Sequence, residues 1–221
     1  MNLPRSYQRW AGSFGGAYTE RNYDETVADV DAEYSERFGV TQTELLKRYF
    51  AHVDHDARIL EVGCNVGVQL EILQSLGFQN LYGLDIHRNA LLMMKDIRPA
   101  IQPLHGSAHR LPFPADSFDV IFTVDVLMHM PPEILEEVID EIIRCSRRFI
   151  IGSEYFEPTR TDLLYRGESG MLWKDDYASL YTKHPDIFPE NQEILRYNGQ
   201  LQSSVGDRLR SIFSLELTHW G

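Results

Sequence analysis

Short β-rich runs alternate with helical runs in the middle of the chain, and this alternation limits the possible folds more than any other feature of the sequence. Apolar, β-rich runs predict strands at 58–63, 80–85, 101–105, 118–124 and 148–155. Apolar residues at helical spacing predict helices between them at 66–76, 89–95 and 131–142. Strands that alternate with helices form a parallel sheet covered on both faces. We therefore expect an α/β fold with a doubly wound sheet.

The segments on either side of this region have weaker patterns. Residues 1–55 are polar and aromatic and contain two helical stretches, which predict an N-terminal helical cap that serves as a lid. The main domain is predicted to span residues 56–221, with an insertion on the substrate side at about 156–190.

The tail is expected to complete the sheet. Residues 174–181 have the pattern of a short helix, and residues 192–198 and 211–218 that of two strands, with Gly206 between them. Two late strands without a strong helix between them favour an antiparallel edge pair. The sheet is therefore predicted to have about seven strands, mostly parallel, with an antiparallel edge strand.

The charge balance and the lack of long apolar runs exclude several kinds of partner. The chain has 33 Asp and Glu against 21 Lys and Arg, a net charge of −12, whereas nucleic-acid-binding proteins usually present a basic face. It has neither the roughly 18 apolar residues of a transmembrane helix nor the apolar core of a signal peptide. Its two cysteines, Cys64 and Cys145, lie in core-like segments, which is typical of a cytoplasmic protein. We expect a small-molecule substrate, no nucleic acid and no membrane, and leave the oligomeric state open.

The turn after the first predicted strand carries the sharpest motif, Glu61-Val-Gly63-Cys-Asn65-Val-Gly67. Glycine at 63 permits a tight turn and a close approach to a ligand, and glycine at 67 lets the next helix start close to the strand. The same spacing also occurs in strand-to-helix turns that bind nothing.

An acidic residue, Asp85, ends the second predicted strand. A carboxylate at this position can accept hydrogen bonds from both ribose hydroxyls of a nucleoside, although it can instead cap the next helix. The glycine spacing is neither Gly-x-Gly-x-x-Gly nor that of a P-loop. A nucleoside without phosphates is therefore favoured over a dinucleotide or ATP.

Four motifs in order resemble those of class I S-adenosylmethionine (SAM) dependent methyltransferases, at residues 59–67, 82–85, 106–119 and 120–129. The resemblance implies a Rossmann-like fold, SAM as the cofactor and a SAM-binding catalytic domain in residues 56–221. The family usually has Asp where this chain has Ser107, so Ser107 or the backbone N–H of Ala108 is expected to make the adenine contact. The cofactor contacts that the resemblance implies come from Glu61, Gly63, Asn65, Gly67, Asp85, Ile86, Ser107, Ala108 and Val124.

A narrower resemblance extends over most of the chain. Residues 10–22, 153–156, 165–167 and 172–177 are similar to methylases of pseudaminic acid and related surface-sugar gene clusters. The chain departs from that subgroup at 131–132 and 174–177, on the expected substrate side, so we predict a different substrate. The similarity also reaches a few small enzymes that cyclise SAM into azetidine-2-carboxylate.

Methyl transfer from a sulfonium is an in-line displacement, so the protein mainly has to position the nucleophile and exclude water. His129 follows the fourth predicted strand, at the sheet edge where ligands bind, and is a candidate general base. Alternatively, His129 only packs against or caps the next helix. The other candidates near the reacting end are Tyr165, Asp176, Tyr177, Glu154 and Tyr155.

Aromatic residues in the N-terminal segment are candidates for the lid. Trp10 and Tyr18 are predicted to surround the sulfonium, because aromatic faces attract cations, but their spacing fits a core-packed helix stripe equally well. Arg21 and Arg166 are candidates to clamp a carboxylate of SAM or of an acidic substrate, with a solvated surface position as the alternative. We expect no metal site.

The favoured function is transfer of the SAM methyl group to a small polar acceptor in sugar or specialised-metabolite biosynthesis. A first alternative keeps the fold but cyclises SAM, with its amino group attacking its own γ-carbon and methylthioadenosine leaving. In that case Tyr165 and Asp176 would orient the amino group. A second alternative is a non-catalytic module that binds SAM.

Overall fold

Four helices precede the sheet, in a computed structural model that describes residues 4–197 and 209–218. They are α1 (Arg5–Ala11), α2 (Ser13–Arg21), α3 (Val27–Phe38) and α4 (Gln42–Tyr49). Reciprocal capping boxes begin the last two: Thr26 with Asp29 for α3, and Thr41 with Glu44 for α4. The predicted helical cap is therefore built from four short helices, rather than from two stretches.

Seven strands form one sheet, as predicted. They are β1 (Arg58–Val62), β2 (Asn80–Asp85), β3 (Gln102–His105), β4 (Phe118–Val124), β5 (Ser146–Phe156), β8 (Ile187–Arg196) and β9 (Leu209–Leu217). The remaining strands, β6 (Thr161–Tyr165) and β7 (Glu168–Lys174), pair only with each other as a hairpin. The helices of this region are α5 (Val68–Ser75), α6 (Arg88–Ile97), α7 (Pro132–Cys145) and α8 (Tyr177–Tyr181), and a 3₁₀ turn spans Leu127–His129.

The strand order is β3-β2-β1-β4-β5-β9-β8. Strands β1 to β5 are parallel, whereas β9 runs antiparallel to both of its neighbours, β5 and β8. This arrangement confirms the predicted mostly parallel sheet with an antiparallel pair at its edge. The order reverses between β1 and β4, and ligands of such sheets bind in the crevice at the carboxyl ends of the strands at this reversal.

Both faces of the sheet are buried, because neighbouring residues of the central strands belong to different cores. Ile59 packs in the cluster that holds α3, α4 and α5, and Leu60 packs in the cluster that holds α7 and α8. Both side chains are fully buried. Apolar residues on both faces therefore explain why β1 is a continuous apolar run rather than an alternating one.

The hairpin β6–β7 is the largest element that the sequence pattern did not predict. Arg166 and Gly167 form its turn with φ values of 53° and 82°, the left-handed conformation that two-residue hairpin turns require. Lys174 ends β7, so the helix predicted from 174 begins only at Tyr177. Asn198, at the end of the first predicted tail strand, and Gly206, between the two, lie outside the described residues. None of the helices in the described ranges has the length and apolar character needed to cross a membrane.

Candidate active site

One cavity of about 610 Å³ lies at the carboxyl ends of β1, β2 and β4, and residues of α1, α2, α3 and the β6–β7 hairpin also line it. This volume is within the range of small-molecule sites. The cavity brings together most of the residues that the sequence singled out, although they come from distant parts of the chain. Those that line it are Trp10, Tyr18, Glu61, Gly63, Asn65, Asp85, Ile86, Ala108, Val124, His129, Tyr155, Tyr165 and Arg166.

The glycine turn needs both of its glycines for conformation and for space. Gly63 and Gly67 have φ values of 77° and 79°, where side chains are strained. A Cβ on Gly63 would lie 2.5 Å from Cγ2 of Val126, and a Cβ on Gly67 would lie 2.5 Å from Sδ of Met94. Gly67 thus brings α5 close to α6 and does not line the cavity, whereas Gly63 does.

Asp85 joins the end of β2 to the glycine turn. Its carboxylate accepts hydrogen bonds from the backbone N–H of Asn65 at 2.9 Å and of His87 at 2.7 Å. Burial raises the pKa of Asp85, although both backbone hydrogen bonds act in the opposite direction. His87 is the N-cap residue of α6, so Asp85 supports the helix start as well as lining the cavity.

Glu61 presents an unsatisfied polar atom at the cavity. Its side chain is 2% exposed, and its Oε2 has no hydrogen-bond partner within the described protein. Burial raises the pKa of Glu61 well above its usual range, and the nearby Asp85 raises it further. A buried oxygen without a partner is costly, so this position fits a ligand that carries a hydrogen-bond donor.

Ser107 does not line the cavity. Its hydroxyl forms hydrogen bonds with the hydroxyl of Tyr7 and with Nδ1 of His109, the latter at 2.7 Å. Tyr7, from α1, lines the cavity instead, together with Gly106 and Ala108. Tyr7, an aromatic residue of the N-terminal helix α1, therefore lines the cavity where the sequence analysis expects Ser107.

His129 is buried and its tautomer is set by a neighbour. Its Nδ1 lies 2.8 Å from the carbonyl oxygen of Met171 in β7. A carbonyl oxygen only accepts, so Nδ1 carries the proton and Nε2 keeps a free lone pair. Burial lowers the pKa of His129 to about 4, so the ring is neutral at pH 7. The structure does not use His129 as a cap of α7, whose N-cap residue is Pro131.

Aromatic side chains of α1 and α2 reach this histidine. The ring centroid of Trp10 lies 4.5 Å from that of His129, 5.4 Å from that of Tyr18 and 6.5 Å from that of Tyr165. Arg5 and Arg9 of α1 both pair with Glu168 of β7. Helix α1 and the hairpin are thus joined over the same part of the cavity.

Part of the chain is similar to a known family of domains. Residues 60–148 match the family model described as a methyltransferase domain. Methyltransferase GfsG of Streptomyces halstedii is 28% identical over 175 residues, which cover 75% of this chain and 60% of GfsG. The chain therefore spans less than two thirds of the length of this relative.

Solved structures share the fold at low sequence identity. Magnesium protoporphyrin IX methyltransferase (ChlM) from Synechocystis PCC 6803, solved with bound SAH, superposes with a TM-score of 0.68 at 14% identity over 96% of this chain and 97% of ChlM. A SAM-dependent methyltransferase from Methanosarcina mazei gives 0.62 at 17% identity over 78% and 96% of the two chains. The match of residues 60–148 to the methyltransferase domain model supports the predictions that the chain is an enzyme and that SAM is its cofactor.

Besides Gly67 and Ser107, four predicted site residues do not line the cavity. The buried carboxylate of Glu154 accepts the backbone N–H groups of Val126, Leu127 and Met128 at 3.1–3.4 Å, which stabilises the 3₁₀ turn. Asp176 caps α8 and accepts from the hydroxyl of Ser179 at 2.5 Å. The remaining two are Tyr177, whose buried hydroxyl donates to the carbonyl oxygen of Trp173 at 3.1 Å, and Arg21, which is exposed beside the ring of Tyr18.

The sequence analysis did not predict an ion pair in the cavity wall. Arg210 of β9 donates from Nη2 to both carboxylate oxygens of Asp125, at 2.7 and 2.9 Å. Both residues line the cavity. Asp125 carries a local signal, since it directly follows β4. Arg210 carries none, since it lies 85 residues further along the chain.

Proposed function

We propose that this chain transfers the methyl group of SAM to a small polar acceptor in sugar or specialised-metabolite biosynthesis. One observation carries the proposal: the residues suited to a nucleoside and a neutral buried histidine line the same cavity at the switch point of the sheet. The likeness to a methyltransferase of Streptomyces halstedii supports the transfer of a methyl group. We place the reaction in the cytoplasm, where Cys64 and Cys145 would remain the free, buried thiols seen here.

The residues at β1 and β2 fit the cofactor. Asp85 would accept hydrogen bonds from the ribose hydroxyls, since two backbone donors leave part of its acceptor capacity free. The unpaired Oε2 of Glu61 would receive a donor of the cofactor, such as its amino group. Ile86, Ala108 and Tyr7 would enclose the base, and Gly63 lets the ligand approach the backbone.

The residues near β4 fit the reacting end. SAM supplies a methyl group on a positively charged sulfur when it is bound. Trp10, Tyr18 and Tyr165 would place aromatic faces around that charge and exclude water. His129 would accept the acceptor's proton on Nε2 as the new bond forms, while Met171 holds the opposite side of the ring.

The two alternatives have less support. Cyclisation of SAM would use Tyr165 and Asp176 to orient the amino group, but Asp176 is engaged in capping α8 and does not line the cavity. A module that only binds SAM would not need a histidine held in one tautomer beside the cofactor position. We propose neither as the main function.

The nucleoside product distinguishes all three functions. Purified protein is incubated with SAM alone and then with panels of sugars and amino acids, and products are separated by liquid chromatography. Methyl transfer predicts S-adenosylhomocysteine only when an acceptor is present. Methylthioadenosine from SAM alone would favour cyclisation, and binding without either product would favour the non-catalytic module. The Gly63→Val variant is the control for spontaneous breakdown of SAM.

A further inference from the structure

Asp125 lies in the cavity wall with an unusual backbone conformation. Its φ is 57°, in the left-handed region that non-glycine residues rarely adopt, and it directly follows β4. Its side chain is 33% exposed. Val124, Val126 and His129 line the cavity beside it. Strained residues of this kind cluster at ligand sites, so the conformation of Asp125 indicates a role in ligand binding.

Arg210 holds the carboxylate of Asp125 in place. The guanidinium is 2% exposed and lies 5.3 Å from the ring centroids of both Tyr34 and Tyr155. Nη2 binds both carboxylate oxygens, and Nη1 donates to the carbonyl oxygen and the hydroxyl of Ser153 at 3.1 and 2.9 Å. A carboxylate can accept about four hydrogen bonds. Arg210 occupies two of these positions, which leaves acceptor capacity for a ligand.

His129, like Asp125, offers a hydrogen-bond acceptor. Its one ring proton is engaged by Met171, so the side that remains, Nε2, can only accept while the ring is neutral. Asp125 and His129 therefore both present acceptors, without donors, to a ligand at the end of β4.

The positively charged side chains that line the cavity do not offset these acceptors. Among the described residues three arginines line it. Arg37 pairs with Glu33 and Arg210 with Asp125, while Arg166 is exposed in the turn of the hairpin. A carboxylate bound beside Asp125 and His129 would therefore face like charge and a lone pair, without a free buried cation to offset the cost.

We propose that Asp125 and His129 form an acceptor subsite that takes a nucleophile with a hydrogen-bond donor, a hydroxyl or an amine, and rejects a carboxylate. This inference rests on the proposed function and adds the chemical class of the acceptor. The nucleophile's lone pair forms the new bond to the methyl carbon, and the carbon–sulfur bond breaks with its electrons passing to sulfur. A hydroxyl passes its proton to Nε2 of His129 as the new bond forms, whereas an amine that reacts in its neutral form releases its proton to water afterwards. Asp125 orients the donor in both cases.

A pair of cofactor analogues tests the subsite without knowledge of the acceptor. Sinefungin carries an amino group in place of the methyl of SAM, whereas S-adenosylhomocysteine carries nothing there. Both share the remaining contacts, so the ratio of their dissociation constants, measured by calorimetry, reports donor recognition at the acceptor side. We expect the wild type to bind sinefungin at least tenfold more tightly, and the Asp125→Asn variant to lose most of this preference while it still binds S-adenosylhomocysteine.

Controls separate this test from a loss of folding. Asp119→Asn changes an arginine-paired aspartate inside β4, which is bound to Arg147 at 2.7 Å and does not line the cavity, and it should leave the ratio unchanged. If Asp125→Asn leaves the Arg210 charge unpaired and unfolds the protein, Asp125→Asn/Arg210→Gln removes both charges together. A wild type without the preference, or a folded Asp125 variant that retains it, would overturn the subsite. A wild type that binds neither analogue would contradict the proposed function itself.

Discussion

Nδ1 of His129 and the carbonyl oxygen of Met171 lie 2.8 Å apart, although the two residues are 42 positions apart in the chain. His129 belongs to the turn after β4, and Met171 belongs to the hairpin strand β7. The hairpin therefore does more than cover the cavity, because its backbone decides which nitrogen of the histidine is basic. The first prediction depends on this contact.

Replacing His129 with Ala should lower the rate of methylation at least tenfold for a hydroxyl acceptor and hardly at all for an amine that reacts in its neutral form. Only the hydroxyl needs a base in the transition state. Because burial lowers the pKa of His129 to about 4, its contribution should be constant from pH 5.5 to 7. Initial rates against pH for the wild type and variant check both points, and equal rates with a hydroxyl acceptor would remove His129 from the reaction.

Asp85→Ala should weaken SAM binding at least tenfold. Hydrogen bonds to a charged group contribute about 1.5–3 kcal/mol each, and the variant also loses the contacts to the N–H groups of Asn65 and His87. Calorimetric titration with SAM measures the change. Asp119→Ala, which removes a carboxylate of similar exposure outside the cavity, is the matched control. An unchanged affinity in a folded Asp85 variant would place the ribose elsewhere.

Gly63→Val should abolish SAM binding while most of the fold persists. The new side chain would collide with Val126, which lies 2.5 Å from the position of a Cβ, and would adopt a strained φ of 77°. Gly170→Ala separates the two causes, since Gly170 has a φ of 70° and no atom within 4 Å of an added Cβ. The control should be less stable by about 1–2 kcal/mol but bind SAM normally. Wild-type affinity in Gly63→Val would contradict the site.

Deletion of residues 1–22 should reduce turnover more than it reduces thermal stability. The deleted helices contribute Tyr7, Trp10 and Tyr18 to the cavity, while the core clusters lie around the sheet. Trp10 fluorescence should also change when SAM binds, and Trp10→Phe provides the background from the other tryptophans. If neither turnover nor fluorescence responds, the segment only packs on the domain and is not a lid.

Glu154→Gln should change how stability depends on pH. Burial raises the pKa of Glu154 to about 7, so the folded protein binds more protons than the unfolded protein between about pH 4.5 and 7. This side chain therefore makes the wild type less stable as pH rises through that window, by up to about 3 kcal/mol. The lowered pKa of His129 makes the protein more stable as pH rises from about 4 to 6.5. This contribution is the same in the wild type and the variant. The free energy of unfolding, measured with urea from pH 5 to 8, should fall less with rising pH in the variant than in the wild type. The same pH dependence in both proteins would contradict the raised pKa of Glu154.

Local sequence determined a large part of this protein. The strands and helices from 58 to 156 could be located from their periodicity, since each is specified by apolar spacing and terminated by nearby Gly, Pro or Asp. The sequence could also predict that Gly63 and Asp85 line one cavity, for a similar reason. Parallel strands end at the same edge of a sheet, so residues after β1 and β2 are neighbours in any fold of this class.

Only the tertiary structure decided which of the predicted catalytic residues line the cavity. Tyr177 begins α8 and Asp176 is its N-cap residue, and neither lines the cavity. Glu154, near the end of β5, binds backbone N–H groups instead. Arg210 meets Asp125 because β9 inserts between β5 and β8, and the basic nitrogen of His129 is chosen by a carbonyl group of the hairpin. These contacts join residues far apart in the chain, and no local pattern encodes them. They depend on strand order and on the geometry of packed side chains, which form only when the whole domain folds.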